Sequence, residues 1–577
     1  MNNPKSQIES RQSIWFESRE HTENNFPHFV QRTIERLRSE RILERIMERD
    51  HHVWHPEPDE IANRLGWLDC PSRIKDQIPE INAAVDDIRN AGFSQAILLG
   101  MGGSSLAPEV FRKVFGVQEG FLDLTVLDST VPAAILELSA AVDWTQTLFI
   151  VSTKSGGTVE TLSFLKYFFN AAIQQLGDKA PAHFVAITDP GSGLEALART
   201  HHFRHIFIND PNIGGRFSAL SLFGLVPAAL LGVNLEELAF WSQQLTGFLD
   251  SPQHHQEILD FSGFIAAFTQ EGRDKLKFII SPSLAPFGDW VEQLVAESTG
   301  KAGVGILPII GETILEVENQ DAVFVYMRDV DNPGFDADVN ALHESSQPVI
   351  QIDLTTAFQL GAEFMRWELA TAIIGHLLGI NPFDQPNVES AKVLARKMIQ
   401  EFQISGQLPL TAPNAETEEW IAFSTADITA DADPILQFLA PETSANEGIY
   451  VAIQAFLPPA ADLSDALQEF RTVIQKKYRI ATTIGYGPRF LHSTGQLHKG
   501  DSGKGVFIQF TMDYCPDVPI PDDLISNDST LSFGILAASQ ALGDYEALVD
   551  AGRKVIRLHL KTQPVSIIKG FTKALAE

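Results

Sequence analysis

The stretch Val151-Ser152-Thr153-Lys154-Ser155-Gly156-Gly157-Thr158-Val159-Glu160-Thr161 gathers four small hydroxyls, one ammonium and two glycines between an apolar run and a helical pattern. Hydroxyls, glycine-exposed backbone N–H groups and a helix N-terminus are the donors that hold a tetrahedral anion. A helix cap needs one such hydroxyl, so the density points to phosphate. A second turn, Leu98-Leu99-Gly100-Met101-Gly102-Gly103-Ser104-Ser105, also follows an apolar run and opens a helix. It departs from the dinucleotide spacing at Ser105 and lacks the lysine of a P-loop. A plain tight turn between strand and helix is the alternative there.

A different chemistry is written between Trp290 and Ser298, which reads as a short helix. Gln293 and Glu297 stand four apart and share a face. Gly300 has the character of a C-cap, with Lys301 after it. Glu297 then lies at the negative end of the helix dipole, which disfavours the carboxylate and predicts a raised pKa. A carboxyl group of that kind suits taking and returning a carbon-bound proton; a solvated helix residue is the plainer alternative. Gly214-Gly215-Arg216-Phe217-Ser218 sets an arginine before a long apolar stretch. A structural ion pair and stabilisation of a developing oxyanion are both open to it.

These residues need elements to position them. Ala96–Leu99, Leu148–Val151 and Phe184–Ile187 are apolar runs of strand length, each leading through a turn into a helical stretch. A second series comprises Lys277–Ile280, Val323–Tyr326 and Val349–Ile352. This is the rhythm of βαβ units and parallel sheets, in two tandem α/β domains. Both hydroxyl- and glycine-rich loops then fall at carboxyl ends of strands, where open α/β sheets bind ligands. The expected division is an N-terminal helical segment over 1–85, a first domain over 86–250 and a second over 251–405. A polar connection with short helices over 406–447 and a last α/β unit over 448–577 complete it. Phe217–Leu235 lacks charge, but its serines, glycines and proline and the following Glu236 and Glu237 favour a buried helix over a membrane span.

The chain has 577 residues, 44% of them hydrophobic, and a net charge of −31. That charge argues against nucleic acid and anionic membranes as partners. An anionic substrate must then be held by a local, fixed set of donors. Cys70 and Cys515 form neither a disulfide framework nor a zinc pattern. The polar N-terminus lacks the apolar core of a signal peptide, and a cytoplasmic location is expected.

Taken together, the motifs resemble the glucose-6-phosphate isomerase family. Gly100–Ser105 is similar to its first glycine-rich loop, and Thr153–Thr158 to its phosphate loop. Gly214–Ser218 is similar to its arginine segment, and Glu292–Lys301 to the segment with its base. Asn381-Pro382-Phe383-Asp384-Gln385-Pro386, followed by Lys392, resembles its closing segment. Two flanking stretches, Ile61–Leu68 and Gly485–Gln496, are similar to the isomerase half of bifunctional transaldolase/glucose-6-phosphate isomerase proteins. A transaldolase barrel takes about 250 residues, and no such barrel is expected before residue 90.

The resemblance implies two SIS-type parallel-sheet sandwich domains with flanking helices, plus a C-terminal α/β extension. It implies interconversion of D-glucose 6-phosphate and D-fructose 6-phosphate in glycolysis and gluconeogenesis. It also implies no metal or organic cofactor, and a homodimer whose sites borrow from the partner chain. Carried over residue by residue, it assigns the base to Glu297, charge stabilisation to Arg216 and ring opening to Lys392 with a histidine. The expected binding set is Gly103, Ser104, Thr153, Lys154, Ser155, Thr158, Gly215, Gln293 and Gln385. The histidine falls on His343 by its place between two motifs. His376 reads as a core residue, and His492 and His498 are outside candidates. Rival readings are an isomerase of mannose or amino sugar phosphates and a non-catalytic sugar-phosphate sensor. A sensor of that kind usually carries a basic DNA-binding element, which the acidic composition opposes.

Overall fold

The computed structural model describes residues 11–16, 19–21, 26–248, 252–315, 318–409, 412–445 and 448–577. Strands β1 (Arg11–Phe16) and β2 (Arg19–His21) open the chain. The helices His28–Ser39 and Ile42–Met47 follow, burying Val30, Ile34, Leu37, Ile42, Leu43 and Ile46 on one side.

The first sheet contains β3 (Gln95–Gly100), β4 (Asp123–Leu127), β5 (Thr147–Ser152), β6 (Phe184–Thr188) and β7 (His205–Ile208). Its order is β4-β3-β5-β6-β7, parallel throughout. β5 and β6 are buried along their whole length, as expected where helices cover both faces of a parallel sheet. Phe149 and Phe184 stack across neighbouring strands with ring centroids 4.9 Å apart.

The second sheet contains β8 (Lys275–Ile280), β9 (Leu307–Ile310), β10 (Ala322–Asp329) and β11 (Val349–Leu354). Its order is β2-β1-β11-β10-β8-β9. Only its first two strands are antiparallel to their neighbours. The N-terminal segment was expected to be helical; it carries the helices His28–Ser39, Ile42–Met47 and the start of Cys70–Asn90, and its first strands in addition extend the second sheet. They pair with backbone groups that the edge strand β11 would otherwise leave open.

The third sheet belongs to the C-terminal part. It contains β12 (Ala415–Glu416), β13 (Trp420–Ser424), β14 (Tyr450–Phe456), β15 (Ala481–Tyr486), β16 (Gly505–Met512) and β19 (Lys554–Leu560). A separate two-stranded ribbon joins β17 (Pro519–Ile520) to β18 (Leu531–Ser532). The order β12-β13-β19-β16-β14-β15 is parallel from β19 onward. Residues 406–447, expected as a connection, thus contribute two strands and the helix Pro434–Ala445 to this unit. Trp420 and Ala422 are buried in its core, and that alternation outweighs the polar composition around them.

The helix Leu222–Leu230 lies entirely in the core. Among the described residues no helix is long and apolar enough to cross a membrane. The architecture is an α/β fold of parallel sheets flanked by helices.

Two loops of the first sheet meet back to back. An added Cβ on Gly103 would fall 2.0 Å from the carbonyl oxygen of Gly215, so this crossing admits only glycine. We predict that Gly103→Ala forces the loops apart at a cost of about 1–3 kcal/mol. A lowered unfolding midpoint in urea is the expected reading, and an unchanged midpoint would contradict the close approach.

Candidate active site

The carboxyl ends of β3, β5 and β6 open onto a cavity of about 590 Å³. Gly102, Gly103 and Ser104 line it from the loop after β3; Thr153, Lys154, Ser155 and Thr158 line it from the loop after β5. The hydroxyls of Thr153 and Thr158 lie 2.9 Å apart. Lys154 is not a free cation: its Nζ donates to Asp189 and, at 2.7 Å, to the Pro211 carbonyl. Burial pushes the Asp189 carboxyl up, against the pull of that ammonium. Within the loop the Thr153 N–H donates to the Ile187 carbonyl and the Gly157 N–H to Ser155 Oγ, which leaves the N–H groups of Ser155, Gly156 and Thr158 without an acceptor among the described residues. Lys392, on the helix Val388–Ser405, also lines the cavity and makes no hydrogen bond or ion pair to the described residues.

Opposite this loop stands the helix Phe287–Thr299, which presents Gln293 and Glu297 to the same cavity. Both side chains are almost fully buried. Gln293 Nε2 donates to Glu297 Oε2 at 3.1 Å and to the His492 carbonyl at 2.7 Å. Its Oε1 is buried without a hydrogen-bond partner among the described residues. The Arg216 guanidinium lies 3.5 Å from Glu297 Oε1. The same guanidinium donates to Ser298 Oγ at 2.7 Å and to Gln385 Oε1 at 3.2 Å. It also donates to the carbonyls of Pro382 (2.6 Å) and Asp384 (3.0 Å). Lys301 reinforces that anchorage, donating to Asn381 and Asp384. Burial, with the neighbouring Arg216 charge, pulls the Lys301 ammonium down to about 8.

His343 is a correction. It sits on the helix Asp336–Glu344, beside the second sheet, and does not line the cavity. Its helix packs against the β8–β10 face through Val339 and Leu342, and burial alone depresses its imidazole. The histidine at the cavity is His492, from the C-terminal unit. His492 Nε2 lies 3.0 Å from Glu160 Oε1, and Gln540 Nε2 donates to the same oxygen at 2.7 Å. Thr130 Oγ1 in turn donates to Gln540 Oε1 at 2.9 Å. Burial would raise the Glu160 carboxyl, but the charge and hydrogen bond of His492 outweigh it and hold the group below the usual carboxylate range. His376 bonds the Val53 carbonyl, away from the cavity.

Glu160 follows the phosphate-type loop directly, and His492 lies inside the motif Gly485–Gln496. Their types were visible in the sequence, but their meeting was not, because 332 positions separate them. The rest of that motif is structural. Arg489 bridges Asp128 and Asp289 at 3.2 Å each. Gln496 Nε2 donates to the Gly300 carbonyl (2.9 Å) and Asn387 Oδ1 (2.7 Å). Its Oε1 accepts from the N–H groups of Asn387 and Val388. One side chain thus ties the end of the Glu297 helix to the start of the Lys392 helix. Asn63 and Arg64, from the flanking stretch Ile61–Leu68, and Asn212, which no sequence signal marked, also border the cavity.

A family model described as phosphoglucose isomerase matches residues 72–305. The chain is similar to glucose-6-phosphate isomerases from Thermosynechococcus vestitus and Thermus thermophilus. The first is 27% identical over 395 residues, covering 60% of this chain and 74% of the relative. The second is 28% identical over 393 residues, covering 59% and 91%. Among solved structures, a hypothetical protein from Thermus thermophilus superposes with a TM-score of 0.58 and 26% identity, over 67% of this chain and 99% of its own. The fold is also that of a glucose-6-phosphate isomerase from Chlamydia trachomatis (TM-score 0.52, 19% identity, 66% and 87% coverage).

Gln496→Leu keeps the volume and strands several buried backbone groups. Each unsatisfied group costs about 1–3 kcal/mol, so we predict a clear fall in thermal midpoint. Retention of the wild-type midpoint would show that the two helices are held by other contacts.

Proposed function

We infer that this chain is an aldose–ketose isomerase that interconverts D-glucose 6-phosphate and D-fructose 6-phosphate. The observation that carries the reading is one cavity in which a paired carboxylate and guanidinium, Glu297 and Arg216, face a hydroxyl-lined loop at the end of a parallel strand.

The phosphate is held by the hydroxyls of Ser104, Thr153, Ser155 and Thr158 and by the backbone of Gly103. Lys154 shapes the loop through Asp189. Ring opening takes a proton from the anomeric hydroxyl and returns one to the ring oxygen. We assign this step to His492, oriented by Glu160, together with Lys392. Glu297 then removes the proton from C2 of the open aldose and delivers it to C1. Between these transfers the substrate is a cis-enediol or enediolate, and its negative oxygen faces Arg216. Gln293 and Gln385 receive sugar hydroxyls. No step calls for a metal or an organic cofactor.

The assay couples fructose 6-phosphate turnover to a glucose-6-phosphate dehydrogenase. Glu297→Gln is expected to lose roughly 10²–10⁴-fold in kcat, and His492→Asn a comparable part of the rate on the ring sugar. Binding of a sugar-acid phosphate should stay near wild type in both. A folded Glu297→Gln variant with normal turnover would falsify the assignment; a wild type that binds but does not turn over would leave a sensor.

The homodimer implied by the resemblance remains part of this proposal as an assembly, as does the cytoplasm as its compartment. The reading takes no catalytic group from a second chain, since His492 comes from the same chain as Glu297. Specific activity should therefore hold constant on dilution through any dissociation measured by sedimentation. Activity that falls in step with dissociation would return the missing group to the partner.

A further inference from the structure

The third sheet carries a buried charge that the isomerase reading does not use. Arg557 lies on β19, between Phe423 of β13 and Gln509 of β16 in one cross-strand row. Its side chain is only 8% exposed. The guanidinium stacks over the Phe423 ring at 3.9 Å and approaches Tyr545 at 5.5 Å. It forms no hydrogen bond or ion pair with the described residues, and its Nε is buried without a partner. Buried charges are normally paired, because leaving water costs several kcal/mol per ion. Stacking on a ring offsets part of that cost but fills none of the in-plane N–H donors.

Arg557 lines a cavity of about 500 Å³ between the sheet and the helix Phe533–Asp550. The cavity also borders Thr511, Met512 and Tyr514, at the carboxyl end of β16, the position at which parallel sheets receive ligands. Its walls are mainly apolar, with Ile421, Phe423 and Leu542 among them. The acids nearby do not neutralise the guanidinium. Asp517 is committed to the N–H groups of Val518 and Gly534 and to Ser532. Asp513 points to solvent, 3.5 Å from His559. Glu546 acts on Arg557 only through space. Burial depresses the His559 imidazole, so Arg557 is the one standing cation among the described lining residues. Burial also lowers the Arg557 guanidinium, to about 10, which leaves it charged at neutral pH.

We propose that this cavity is a binding site for a small organic monocarboxylate, whose apolar body fills the walls and whose carboxylate pairs with Arg557. A planar guanidinium matches a carboxylate bidentately, and a single cation among apolar walls suits one negative charge. The site borders Ala538, Ala541 and Leu542 of the helix whose Gln540 holds Glu160, so an occupant touches the helix that positions His492.

Calorimetric titration of the full chain with phenylacetate tests the site, with phenethyl alcohol and inorganic phosphate as comparisons. Saturable phenylacetate binding is expected, weakened at least about tenfold for the neutral alcohol and for Arg557→Met. Ala538→Phe, which fills the cavity and leaves Arg557 in place, should abolish binding as well, and serves if the first variant fails to fold. No saturable binding to wild type, or undiminished binding to a folded variant, would overturn the site. Phosphate binding as tightly as phenylacetate would overturn the carboxylate class. None of these readings depends on isomerase turnover, so the two proposals stand or fall separately.

Discussion

The site is organised around one buried guanidinium. Arg216 is a charge out of water, and its donors must be filled. Glu297, Ser298, Gln385 and the carbonyls of Pro382 and Asp384 fill them. Those partners come from the Glu297 helix and from the closing segment, while Arg216 itself follows the first sheet. The demand of a single side chain therefore fixes three separate pieces of chain against one another. The crossing of Gly103 over Gly215 sets the height at which that side chain enters. Lys301 repeats the anchorage from the other side.

The C-terminal unit is part of the same construction rather than an appendage. An added Cβ on Gly300 would come within 2.4 Å of the Leu497 backbone, so the helix end bearing Glu297 lies directly against the helix Gly495–Gly500. Gln496 closes that contact with hydrogen bonds, and His492 carries a titratable ring into the cavity. Behind the ring runs a relay of buried polar groups, Glu160, Gln540 and Thr130, each paired. In a poorly solvated setting such a chain holds one orientation, because each unmade bond is costly.

Lys154 shows how a motif residue can change role once its neighbours are known. Its ammonium beside a hydroxyl-rich loop suggests a phosphate ligand. In the folded chain its ammonium is held by Asp189 and the Pro211 carbonyl. Lys392, from a helix that begins in the closing segment, is the ammonium left facing the cavity.

The sequence by itself determined the α/β class, three strands in each of the first two sheets and the loops that carry Gly103, Thr153, Thr158, Arg216 and Glu297. Those features are local: apolar runs, glycine at tight turns and i, i+4 spacing act over a few residues. The tertiary structure alone decided which histidine reaches the cavity. His343 lies between the right motifs in sequence but is held on a helix behind the second sheet; His492 lies outside them and is delivered by the third. It also turned part of 406–447 from a connection into strands, since β13 pairs with β19 far along the chain, from Trp420 with Leu560 to Ser424 with Ile556. The unpaired state of Arg557 was equally illegible, because a buried charge is defined by what surrounds it in space.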